Sequence, residues 1–198
     1  MAVKFGTNPN LHEVVLTFDD GPSPALTPKL LDTLARQNVK AMFFVLGQLL
    51  GTAAGQNIIK RAFAEGHIIA NHSFDHPNLQ TLSLAQVKSQ FKRTQDLIGA
   101  CAHPMKFVRQ PYGSTNPSID KLLKDEGYTK LLWNVDSMDW DRRFKPTAWI
   151  DNAMRQINNR PDSIVLMHDI HSTTVNNVET LIKKIKAKAN TEIIAYAS

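Results

Sequence analysis

The chain holds a single cysteine, Cys101, in 198 residues. No intrachain disulfide can form, and zinc sites built from several thiolates are excluded. Long apolar runs are also missing. The longest, Val39–Leu50, is broken by Lys40, Gly47 and Gln48 and falls short of the ~18 residues that span a bilayer. Met1–Gly6 has no apolar stretch of the kind a secretory leader needs, so a signal peptide is not expected. Repeats, low-complexity segments and linkers are absent. So is the interleaving of aromatic and basic residues that marks a nucleic-acid binder.

What is present is ordinary globular composition: 42% hydrophobic and 21% charged residues. Disorder, collagen and coiled coil are excluded. At ~100–200 residues per domain, one domain covering 1–198 is expected. The net charge is +5, and Lys183, Lys184, Lys186 and Lys188 carry four of those charges. A basic C-terminal helix of this kind reads as a solvated face.

Apolar, β-rich runs alternate with helix-like stretches. Strands are predicted at Val14–Phe18, Ala41–Leu46, His67–Ala70, Lys106–Arg109, Leu131–Val135, Ser163–Met167 and Glu192–Tyr196. Helices are predicted near Ala25–Gln37, Ala53–Glu65, Ser83–Ile98, Pro117–Glu126, Thr147–Ile157 and Val175–Ala189. Pro28 suits a first helical turn, Ser83 with Gln86 forms a capping box, and Gly66 and Gly127 suit helix C-termini. The βα alternation implies an α/β fold with a mostly parallel sheet. Seven strands are too few for a full (β/α)₈ barrel, which leaves an incomplete barrel or an open doubly wound sheet. Either one gathers ligands at the C-terminal ends of its strands.

The unusual polar residues fall at those ends. Asp19 and Asp20 close the first strand. Alternation along a strand points them opposite ways, so one is free to bind a cation while the other acts as a base. An acid capping the next helix is the competing reading. His72 and His76, four apart, put two imidazoles on one face of a short turn, which Pro77 makes irregular by biasing His76 towards extended backbone. With Asp20 they form a two-histidine, one-carboxylate set that suits catalytic zinc and non-haem iron alike. Arg109 has the fork to hold Asp19 or to make a plain structural ion pair. Pro111-Tyr112-Gly113 is a rigid turn, either a plain connection or one whose N–H groups suit an oxyanion. Asp139 beside His168 would raise the histidine's pKa and make it a proton donor, with a hydrogen-bonded structural histidine as the competing reading. Trp140 reads as core or as a groove wall, Leu166 shares the strand face of His168, and His171 reads as a surface residue.

Five motifs thus stand in order: Thr17-Phe18-Asp19-Asp20-Gly21-Pro22, His72-Ser73-x-x-His76-Pro77, Arg109-x-Pro111-Tyr112, Asp136-x-x-Asp139-Trp140 and Leu166-x-His168-Asp169. In these the chain resembles the polysaccharide deacetylases, carbohydrate esterase family four, over nearly its whole length. The stretch from Met167 to Val175 looks most like the bacterial peptidoglycan N-acetylglucosamine deacetylases. Gln110 stands where many relatives have proline. The resemblance implies a distorted, incomplete TIM-like (β/α)₇ barrel. It implies a divalent metal on Asp20, His72 and His76, most often zinc, with cobalt as an alternative. Asp19 would be the general base, His168 the general acid, Arg109 the holder of Asp19 and Asp139 the tuner of His168. Tyr112, with Pro111, would offer its N–H to the oxyanion, and Trp140 and Leu166 would shape the acetyl pocket.

The expected reaction is N-deacetylation of a polysaccharide containing N-acetylglucosamine, of peptidoglycan or chitin type. A monomer is expected, with no nucleic-acid partner and no membrane span, in an extracytoplasmic setting that the substrate class suggests. The alternatives are an O-deacetylase on acetyl-xylan with the same metal site, a non-haem iron oxygenase, and an inactive glycan-binding domain. The presence of both Asp19 and His168 argues against the last, since a pure binder needs neither acid nor base.

Overall fold

The structure is a computed structural model and describes residues 10–195. Tyr196, the last residue of the final predicted strand, and Met1–Gly6 lie outside them. Along the chain run β1 (His12–Asp19), α1 (Thr27–Arg36), β2 (Met42–Val45), α2 (Gly47–Leu50), α3 (Ala53–Ala64), β3 (Ile68–Asn71), α4 (Leu84–Ile98) and β4 (Phe107–Val108). There follow α5 (Pro117–Asp125), β5 (Thr129–Lys130), β6 (Val135–Asp136), α6 (Ala148–Asn158), β7 (Ser163–His168), α7 (Ser172–Lys186) and β8 (Thr191–Ile193). Local chemistry sets several ends. Pro28 lies in the first turn of α1, Ser83 and Gln86 form the capping box of α4, and Asn116 caps α5 ahead of Pro117.

The strands pair in parallel in the order β5-β4-β3-β2-β1-β7-β6, and β8 pairs with the start of β1. Successive strands β5 and β6 therefore sit at opposite ends of the order. Only residues 131–134 join them, so the two edges lie within about 18 Å of each other. A flat sheet would put them about 29 Å apart. The sheet has to curl, which makes the incomplete barrel and excludes the open doubly wound alternative.

Side chains alternate across the curled sheet. Val14, Leu16 and Phe18 face outward and pack with Leu30, Leu31, Trp149, Val178 and Ile182 of the covering helices. Val15 faces inward, where Met42, Phe44, Ala70, Phe107 and Ile164 fill the barrel. A third cluster seats α4 and α5 on β4 through Phe91, Val108, Ile119 and Leu123.

One predicted strand is absent as such. Leu131–Val135 is apolar and reads as a strand, but β5 ends at Lys130 and β6 begins at Val135. The reason is Arg109, buried inside the barrel. Its Nε donates to the Leu131 carbonyl at 3.0 Å and its Nη2 to the Leu132 carbonyl at 3.3 Å. Its Nη1 donates to Thr17 Oγ1 at 2.8 Å and Asp19 Oδ1 at 2.7 Å. The guanidinium takes the carbonyls that a ladder would need and straps the seam between β5 and β6 to β1.

Arg109→Leu leaves Asp19 buried without its partner and strips those two carbonyls. We expect a loss of about 3–5 kcal/mol at neutral pH, read from urea unfolding. The loss should shrink at acid pH, where Asp19 takes up a proton. An unchanged midpoint would mean that the guanidinium does not support the seam.

Candidate active site

Asp19 ends β1 in register with His168 on β7 and with Phe44 on β2. Arg109 holds its Oδ1 and leaves Oδ2 towards the barrel mouth. Burial pushes the Asp19 carboxyl up, and Arg109 and His168 pull it back only in part. Asp20 does not follow strand alternation. Its φ of 73° turns the chain into the left-handed region, which aspartate tolerates. The two carboxylates therefore reach the same place. Asp19 Oδ2 lies 3.6 Å and Asp20 Oδ1 3.5 Å from His72 Nε2.

His72 follows β3 and is buried. Its Nδ1 lies 2.9 Å from the Arg109 carbonyl, which can only accept, so Nδ1 carries the proton and Nε2 keeps its lone pair. Burial is the main cause that takes this ring down to about 3, so it is neutral near pH 7. His76 was expected in extended backbone because of Pro77. Instead its φ is 61°: the proline forbids the helical region, and the left-handed one remains open. The Ser73 hydroxyl holds the His76 N–H at 3.2 Å. His76 Nε2 comes within 3.4 Å of Asp20 Oδ1.

Ligand atoms of Asp20, His72 and His76 all lie within 4.8 Å of one another. A tetrahedral ion with bonds of about 2.1 Å spaces its ligands by about 3.4 Å, close to the distances from Asp20 to both rings. Asp20 Oδ1 is buried and has no hydrogen-bond partner among the described residues. The donor set thus fits a divalent cation, with the second nitrogen of His72 fixed by a carbonyl as metal sites require.

Across the mouth stands a second pair. Asp139 Oδ1 accepts from His168 Nδ1 at 2.8 Å, and Oδ2 accepts from the His168 N–H at 2.8 Å and Thr174 Oγ1 at 2.7 Å. Burial opposes charge on both partners. The hydrogen bonds outweigh it, holding Asp139 below its ordinary range and lifting His168 to about 9. His171 is half-buried rather than a plain surface residue, with its ring 5.6 Å from that of His168.

The two groups share a cavity of about 430 Å³, lined also by Tyr112, Trp133, Asp136, Trp140 and Leu166. Leu166 is in register with Thr17 and Asp136. Pro111 is buried beneath the turn, where Tyr112 has a φ of 59° and Gly113 one of 63°. A Cβ on Gly113 would also approach the Trp133 ring to 3.3 Å. The Tyr112 ring lies 4.5 Å from that of His76. Tyr112 is 69% and Trp140 46% exposed, so both are groove walls and not core.

A family model described as polysaccharide deacetylase matches residues 6–131, more than half of the chain. The chain belongs to the polysaccharide deacetylase family. The resemblance carried by the five motifs is thereby borne out. The peptidoglycan-N-acetylglucosamine deacetylase PgdA of Listeria monocytogenes is 39% identical over 176 residues, covering 88% of this chain and 36% of that protein. The chain spans about a third of that relative's length. A solved structure described as T48 deacetylase with substrate matches with a TM-score of 0.83 at 33% identity, covering 96% of this chain and 91% of that one. BA3943 of Bacillus anthracis, described as a CE4 family pseudoenzyme, matches at 0.82 and 30%, covering 94% and 65%. Family membership alone therefore does not assign activity, and the residues of the site have to.

This deacetylase-family site includes residues the sequence did not single out. Trp133 sits in the segment read as a strand, and Asp136 was a motif position without a role. Thr174, which donates to Asp139 Oδ2, stood in the Met167–Val175 stretch without a role. Asp136 fixes its own turn by accepting the Met138 N–H at 2.9 Å.

The folded value of His168 lies above its unfolded one of ~6.5. The stability it contributes is therefore complete below about pH 6.5 and is lost as pH rises through about 9. Asp139→Asn should leave burial dominant, so that His168 titrates below ~6.5 by NMR and the alkaline loss of stability in that window disappears. A midpoint still near 9 in the variant would contradict the role given to Asp139.

Proposed function

We propose that the chain is a single catalytic domain and a metal-dependent hydrolase. It removes N-acetyl groups from N-acetylglucosamine units of a polysaccharide, of peptidoglycan or chitin-oligomer type. One observation carries this reading: a donor set fit for a cation, the free oxygen of Asp19 and an imidazole held by Asp139 face one cavity of about 430 Å³. The Listeria relative named as a peptidoglycan-N-acetylglucosamine deacetylase supports the substrate class.

Asp20, His72 and His76 would hold the cation, zinc or a similar divalent ion such as cobalt. When bound, it polarises the acyl carbonyl and makes water more acidic. Asp19 acts as general base through Oδ2, the oxygen that Arg109 leaves free, and takes the proton of the water attacking the acyl carbon. The Tyr112 N–H, in the open first turn after Pro111, faces the developing oxyanion. As the C–N bond breaks, His168 delivers its Nε2 proton to the leaving nitrogen, since Nδ1 is engaged with Asp139. Acetate and a glucosamine unit result. Trp140 and Leu166 wall the space for the acetyl methyl and the sugar, with Trp133 beside them. The protein acts as a monomer, in the extracytoplasmic setting where such polymers occur.

Acetate release from N-acetylglucosamine oligomers should vanish with a chelator and return with zinc. Asp19→Asn and His168→Ala should each lower kcat by about 10²–10⁴-fold. Activity should fall on an alkaline limb at or below about 9, set by His168. Acetate from acetyl-xylan alone would overturn the N-deacetylase reading, and glycan binding without turnover by zinc-loaded protein would overturn the hydrolase.

A further inference from the structure

Asp169 follows His168, is fully buried and takes no part in the mechanism above. Its Oδ2 accepts from Thr27 Oγ1 at 2.5 Å, and the same hydroxyl accepts the Ser23 N–H at 2.7 Å. Its Oδ1 has no hydrogen-bond partner among the described residues. Burial pushes this carboxyl up to about 7. Such a group costs stability where it stands, so a simple packing role does not account for it.

The carboxyl lies flat against Gly21. A Cβ built on Gly21 would stand 2.3 Å from both Asp169 oxygens and 2.6 Å from Cγ. Gly21 has no positive φ to explain its lack of a side chain. Asp169 is what requires glycine there. Gly21 in turn follows Asp20, whose left-handed turn aims its carboxylate at both imidazoles. The Gly21 carbonyl accepts the Leu46 N–H at 2.9 Å, and the next residue's N–H, that of Gly47, reaches the Ser73 carbonyl at 3.1 Å. A lateral chain of contacts thus runs from Asp169 through Gly21 to the loop that carries His72 and His76.

We propose that Asp169 is a positioning residue for the metal site: wedged against Gly21 and tethered by Thr27, its carboxyl sets the turn that holds Asp20 at equal reach of His72 and His76. The proposal rests on the reading of those three residues as metal ligands. It predicts that positions 21 and 169 act as one steric unit.

The test is zinc affinity of the folded protein, measured by competition with a chromophoric chelator, alongside urea unfolding of the zinc-free protein. Asp169→Ala should weaken zinc binding about 10–100-fold, as loss of a supporting contact around a metal does. Asp169→Asn, which keeps the planar shape, should stay within about 3-fold of wild type. Gly21→Ala should weaken binding strongly, and Gly21→Ala combined with Asp169→Ala should be no weaker than Asp169→Ala alone, since the added methyl then has room. Should Asp169→Ala fail to fold, Thr27→Val removes the tether, together with the acceptor of the Ser23 N–H, while leaving the carboxyl in place, and should still weaken zinc several-fold. A purely structural role would lower the unfolding midpoint and leave zinc affinity unchanged, which would overturn the proposal. Equal weakening by Asn and Ala, or additive effects at positions 21 and 169, would overturn it too. Folded wild-type protein that binds no zinc, cobalt or other divalent ion would overturn the metal-site reading itself, a distinct failure.

Discussion

A guanidinium buried in a barrel has to find acceptors for its donors or it destabilises everything around it. Arg109 finds a hydroxyl, a carboxylate and two main-chain carbonyls, and each acceptor fixes a different part of the molecule. Leu131 and Leu132 bring the seam of the curled sheet into place. Thr17 and Asp19 tie that seam to the central strand. Phe44 lies under the guanidinium, 4.0 Å from ring centre to charge centre. The main-chain carbonyl of Arg109 sets the tautomer of His72. Fold closure, the proposed base and the proposed metal ligand therefore depend on one side chain and its peptide.

Two histidines at this site show how neighbours outrank burial. His72 and His168 are both largely removed from water. The first sits at about 3 and the second at about 9. His72 donates to a neutral carbonyl, which does little for its charged form. His168 donates to a carboxylate already satisfied by Thr174 and a backbone N–H, which does a great deal. One ring thereby keeps a free lone pair and the other a proton, and both line one cavity.

Much of this was legible in the sequence because it is local. Alternating apolar runs gave away β1, β2, β3 and β7, and the polar residues at their C-terminal ends converge because parallel strands all end on one side. The exceptions are where a distant partner overrules a local preference. Residues 131–134 have strand composition, but the carbonyls of Leu131 and Leu132 go to Arg109, which lies more than twenty positions earlier. Alternation puts Asp20 opposite Asp19, yet a left-handed turn brings them together. His76 escapes extended backbone in the same way. Trp133 and Thr174 acquire their roles only from what the curl places beside them, Gly113 in one case and Asp139 in the other.

The central strand has a consequence for how the molecule comes into being. β1 pairs along its length with β7, with Val14 opposite Ser163 and Asp19 opposite His168. Such remote pairing raises contact order and slows folding, because a large loop has to close before its contacts reward it. During synthesis β1 leaves the ribosome well before β7 and waits for that neighbour. Until then its inner edge is open and Asp19 has no histidine across from it. The reactive pocket therefore cannot mature piecemeal: it is assembled last, in the same event that completes the sheet.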